Sequence, residues 1–221
     1  MNKTFQFKKL LISLAIASSA AVSIAPAAVQ AGELSYNAAV SNMYLWRGTD
    51  ISNGQGVISG GVDYAADSGF GVGLWTSSED AGTETDLYAT YGFSSGDFGV
   101  TVGYWAYLYP SDGTTSSFDS DDGSLASEYE LTLSYADLSA TAMIDTTETD
   151  NRYYSLDYGI GKVGLHYGMT SKLDSTQDYT DISVSYAATD ALSFTLSKAQ
   201  GDGVTAAQEK PMVAVSYSLP I

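Results

Sequence analysis

The sequence predicts an all-β fold, an up-and-down antiparallel transmembrane β-barrel of about twelve strands. Helical periodicity is nearly absent, and apolar residues alternate with Ser, Thr, Gly, Asp and Glu along most of the chain. The connections between alternating segments run long, short, long, short. The chain also ends on an unbroken greasy face, Val213, Val215, Tyr217, Leu219 and Ile221.

Residues 1–31 read as an export signal. Lys3, Lys8 and Lys9 precede an apolar stretch from Leu10 to Ala28, and Val29-Gln30-Ala31 places small residues at the −3 and −1 positions of a cleavage site after Ala31. Ser13, Ser18, Ser19, Ser23 and Pro26 interrupt the apolar run, which argues against a spanning helix. Residues 32–221 form the expected barrel, and loss of three lysines with no acid makes it more acidic than the whole chain.

The expected strands lie near 34–46, 56–65, 69–77, 84–93, 97–109, 127–136, 138–146, 151–160, 162–171, 178–187, 191–199 and 209–219. Side chains alternate across a strand, so each has one greasy and one polar face. The greasy set is even-numbered in Phe98–Tyr104 and Leu192–Ser197, and odd-numbered in Tyr129–Tyr135. A soluble sandwich would bury that face against a second sheet. A membrane barrel turns it to lipid and its polar face to a wet lumen.

The connections favour the barrel. The short ones are 66–68, 94–96, Asp137, Gly161 and 188–190; the long ones are 47–55, 78–83, 110–126, 147–150, 172–177 and 200–208. Tight periplasmic turns and longer outer loops produce that order. Each even-numbered strand also carries an aromatic near its end, at Tyr64, Phe93, Tyr135, Tyr158, Tyr186 and Tyr217. Such rings suit a membrane–water interface, where the ring is half dry and a hydroxyl is wet. A greasy C-terminal strand would be an aggregating edge in a soluble protein.

Composition narrows the function. The chain has 26 Asp+Glu against 9 Lys+Arg, a net charge of −17, which repels nucleic acid. With no Cys and one His, thiolate chemistry and most zinc sites are excluded. The Gly69–Gly73 run is followed by no helix to complete a phosphate site, so its glycines serve curvature and close strand contact. In the longest loop Asp119, Asp121 and Glu130 stand at positions one, three and twelve of a calcium-loop pattern, but Gly123 comes one place early.

The stretch Val40-Ser41-Asn42-Met43-Tyr44-Leu45-Trp46-Arg47-Gly48, with Gly60–Tyr64 and Ser68–Trp75 after it, resembles the opening of the TorF family of porins. The Gly96–Val100 hairpin is similar too, and the likeness covers most of residues 32–221. It implies an outer-membrane location and a channel role, and carries no catalytic or ligand motif.

By strand parity the inward candidates are the acids Asp63, Asp86, Glu128, Glu130, Asp145, Asp157 and Asp181, with Arg47 and His166 as the inward bases. Arg152 and Lys198 fall on the outward face, where they could meet lipopolysaccharide phosphates. The expectation is a passive outer-membrane channel for small solutes, preferring cations and needing no cofactor. The rivals are an exported binding sandwich, a barrel with no conductance, its inward acids paired within a plugged lumen, and a barrel hydrolase built on His166.

Overall fold

The computed structural model describes residues 32–80, 82–109, 126–146, 151–172 and 177–221; the expected signal segment and most of the 110–126 loop lie outside them. The strands are β1 (Glu33–Ser41), β2 (Leu45–Trp46), β3 (Thr49–Asp50), β4 (Val57–Ala65), β5 (Phe70–Glu79), β6 (Gly82–Ser95) and β7 (Phe98–Leu108), followed by β8 (Ser127–Tyr135), β9 (Leu138–Asp145), β10 (Arg152–Ile160), β11 (Val163–Ser171), β12 (Tyr179–Ala187), β13 (Leu192–Gly201) and β14 (Met212–Ser218). Among the described residues, β1 and β4 to β14 form one closed barrel of twelve strands, each antiparallel to its chain neighbour, with β14 returning to β1. β2 and β3 form a separate two-stranded ribbon. No described helix is long and apolar enough to cross a membrane.

The alternation is realised strand by strand. On β8, Tyr129, Leu131, Leu133 and Tyr135 are exposed outward, while Glu128 is buried on the other face. On β12, Ile182, Val184 and Tyr186 are exposed and Asp181, Ser183 and Ser185 are buried. Polar residues inside and large hydrophobics outside invert the pattern of a soluble protein, which is the arrangement lipid demands. The six aromatics Tyr64, Phe93, Tyr135, Tyr158, Tyr186 and Tyr217 are all exposed, near the rim that carries the short turns.

Three boundaries depart most from expectation. β1 ends at Ser41 instead of Trp46, because Tyr44 and Leu45 leave the wall and are buried inside the barrel. The final strand begins at Met212, not at residue 209. The expected long connection at 78–83 is a tight hairpin, with β5 and β6 paired as far as Glu79 and Gly82. Apolar alternation stops where lipid stops, but Thr76, Ser77, Ser78, Thr83 and Thr85 continue the backbone ladder beyond it.

The barrel closes on a short seam. β1 pairs with β4 from Glu33 to Ser41, but with β14 only through Ala39, Val40 and Ser41. Where the β1 backbone turns away, the side-chain amide of Asn42 takes over. Its Nδ2 donates to the Val213 carbonyl at 3.1 Å, and its Oδ1 accepts from the Val215 N–H at 2.6 Å. The amide presents one donor and one acceptor, as a peptide unit does, so the ladder is extended without a strand.

Candidate functional site: the lumen and its inward loop

Residues 42–56 fold into the barrel as an ordered unit. The Asp50 carboxylate accepts from the Ser52 N–H at 2.9 Å and the Gly54 N–H at 2.7 Å, a side-chain mimic of a backbone turn. The Ser52 hydroxyl is fully buried; it accepts from the Tyr44 N–H at 2.9 Å and donates to Asp50 at 2.7 Å. With the β2–β3 pairing these bonds give the loop its own shape before it meets the wall.

At its tip the loop crosses the lumen. Gly48 has φ 77° and packs on β12 and β13; a Cβ there would lie 2.3 Å from Asp181 Cβ and 3.2 Å from Ala199 Cβ. Only glycine fits both the backbone and the contact. The next side chain back, Arg47, reaches to β8, where its Nη2 donates to both Glu128 oxygens at 2.8 and 2.7 Å. The Tyr107 hydroxyl donates to the same carboxylate at 2.7 Å. The Arg47 guanidinium also lies over the Trp46 ring at 4.6 Å and the Tyr153 ring at 4.4 Å. Burial alone would lower the Arg47 pKa, but the Glu128 carboxylate outweighs it and holds the value above the ordinary one.

His166 is bound from both sides. Its Nδ1 is 2.6 Å from Asp157 and its Nε2 is 2.9 Å from Asp181. Nε2 also lies 2.8 Å from the Tyr153 hydroxyl, so one chain of contacts runs from Glu128 through Arg47 and Tyr153 to the histidine. A Cβ on Gly168 would fall 2.2 Å from both Asp181 Oδ2 and the Tyr153 hydroxyl, so the meeting of those groups requires glycine opposite them. Two carboxylates facing two ring nitrogens suit a ring that donates from both. Neither nitrogen is left to take a proton from a hydroxyl nucleophile, as a hydrolase needs.

All nine expected residues are inside the barrel, although Arg47 stands on the loop and not on a strand. Asp63 accepts from the Tyr88 hydroxyl and from Asn37 at 3.3 Å. Glu130 accepts from Trp105 Nε1 at 2.8 Å and Thr132 at 2.7 Å, so the twelfth position of the calcium-like pattern is committed to the lumen. Asp145 lies across the β8–β9 ladder from Glu128. Asp86 is fully buried, and neither of its carboxylate oxygens has a hydrogen-bond partner. Arg152 and Lys198 occupy outward positions of β10 and β13.

Two features escaped sequence reasoning. Glu84 is buried and accepts from Tyr44 at 2.9 Å and Tyr109 at 2.6 Å. Its even number, shared with Asp86 on the same strand, was a readable signal. Less readable was the aromatic filling, in which Trp46, Trp75 and Trp105, all three tryptophans of the chain, pack inside with Tyr88, Tyr107 and Tyr153. Trp105 stacks on Tyr88 with ring centroids 4.3 Å apart.

Fold and lumen together define an outer-membrane-type β-barrel with a filled, acid-rich interior. The chain belongs to the Gcw_chp family, described as a bacterial protein of unknown function, which it matches over residues 25–209. No curated protein matches it. Among solved structures, a KdgM porin aligns with a TM-score of 0.51 at 10% identity, covering 86% of this chain and 99% of that one. A KdgM porin in complex with disordered oligogalacturonate aligns at 0.48 with 12% identity, covering 85% and 100%. The outer membrane phospholipase A from Escherichia coli aligns at 0.43 with 10% identity, covering 84% and 92%. The first of these likenesses is one of fold.

Proposed function

We propose that the chain is an outer-membrane channel for small solutes, that it prefers cations, and that the 42–56 loop is its constriction. The carrying observation is the interior charge. The inward acids named above stand on six of the twelve barrel strands, while Arg47 and His166 are the inward bases among the candidates. Several acids, including Asp63, Glu84 and Glu130, accept hydrogen bonds from neutral tyrosine and tryptophan donors. A low-dielectric wall focuses such a potential, and rings of Asp and Glu favour cations.

The closed barrel, the greasy outer face and the resemblance to TorF porins support a bacterial outer-membrane location after loss of residues 1–31. Arg152 and Lys198 would then meet lipopolysaccharide phosphates from outside. The double clamp on His166 supports a channel over a hydrolase.

Reversal potentials in a salt gradient test the preference. Changing Asp63 to Asn and Glu130 to Gln together should move the potential toward the non-selective value. Asp157→Asn with Asp181→Asn should move it less, since His166 already offsets part of that pair. A chloride preference in the unmodified protein overturns the reading.

A further inference from the structure

We infer that the cage around Arg47 is a recognition site for organic cations bearing a guanidinium or primary ammonium head, and that Arg47 is a tethered occupant which such a solute displaces. The inference rests on the channel reading and names the solute class of its constriction. A guanidinium is planar and weakly hydrated, and is recognised by aromatic faces and a carboxylate fork. The cage offers both, with the Tyr153 ring at 4.4 Å, the Trp46 ring at 4.6 Å and both Glu128 oxygens within 2.8 Å. The Tyr107 hydroxyl fixes the carboxylate from behind.

The occupant is imperfectly held. Arg47 has φ 41°, a left-handed backbone that non-glycine residues adopt at a cost. Its Nε is buried without a hydrogen-bond partner. A free solute carries no such backbone strain. The Glu128 carboxylate is met by a guanidinium and a phenol between two ring faces, a lining that suits an organic cation better than a bare metal.

The test is entry of arginine and citrulline into proteoliposomes holding the full chain. The two differ only at the head group, charged in one and neutral in the other. In the unmodified protein arginine should enter at least about fivefold faster, the scale of one charge interaction near a protein surface. Glu128→Gln should lower the ratio further than Asp63→Asn with Glu130→Gln does, since those two acids act through the general field of the lumen and not through the cage. Arg47→Ala should raise both rates and keep their order. Tyr153→Leu, which removes a ring and no charge, should lower the ratio. Equal rates in the unmodified protein, or an undiminished ratio in both E128Q and Y153L, overturn the inference. If potassium passes neither the unmodified barrel nor R47A, the channel reading fails instead. The cage is then judged by tryptophan emission in detergent, which agmatine should change in the unmodified protein and not in E128Q; no difference between the two overturns the cage as well.

Discussion

At the scale of residues, one missing side chain seats the whole loop. Gly48 combines a positive φ with wall contacts that admit no Cβ. Gly48→Ala should therefore lift the loop off β12 and β13 and weaken the Arg47–Glu128 pair with it. The expected outcome is a folded barrel with larger single-channel current than the parent; an unchanged current would show that the loop is not what narrows the path.

Residue parity also sorts tolerance to charge. Leu133, Val184 and Leu196 are exposed on the outer face, and Arg at any of them should cost about 2–4 kcal/mol at the membrane midplane, read as a lower urea midpoint in lipid. Parity alone suggests that Arg at Thr132, Ser183 or Thr195 meets water and is harmless. The structure separates the three. Ser183 and Thr195 are buried, whereas Thr132 is half-buried beside Glu130. Only Thr132→Arg should be well tolerated, and equal midpoints for T132R and S183R would contradict the filled interior.

At the scale of elements, strands were legible because lipid imposes a period of two on every one of them. What sequence reasoning missed follows the same logic. The β5–β6 hairpin outgrew its apolar pattern because backbone pairing needs no greasy side chains above the membrane. The first strand was read too long because Tyr44 and Trp46 continue the alternation of Val40 while the backbone has already turned inward. A loop packed into a lumen and a strand packed against lipid can carry the same residues; only the partner surface differs. The Arg47–Glu128 pairing joins residues 81 positions apart and has no local signal at all.

The seam is the element most open to test. Asn42 replaces a strand residue with two side-chain hydrogen bonds to β14. Asn42→Ala should cost about 0.5–1.5 kcal/mol, the net scale of an ordinary hydrogen bond, because the two bonds are exposed. Urea unfolding followed by tryptophan emission reports it directly, since all three tryptophans sit inside the barrel. An unchanged midpoint would mean that the backbone bonds around Ser41 close the barrel without help.

At the scale of the whole molecule, the fold is one solution to two solvents. A greasy outer face satisfies lipid, and closure pairs every strand with two neighbours, with the Asn42 side chain extending the ladder at the short β1–β14 seam. The interior is then free to carry charge, and it carries mostly one sign. Net acidity was plain from composition, and strand parity marked seven inward acids but passed over Glu84. Which acids are cancelled was not, because pairing depends on where the loop puts Arg47 and on the clamp that holds His166.

Planar-bilayer recording of the refolded full chain tests the central claim most directly. The account predicts stepwise currents, a reversal potential on the cation side in a potassium chloride gradient, and a larger step for G48A with the same sign. A barrel that folds, as shown by heat-modifiable gel migration, yet passes no current in either form, or passes chloride in preference, would contradict it.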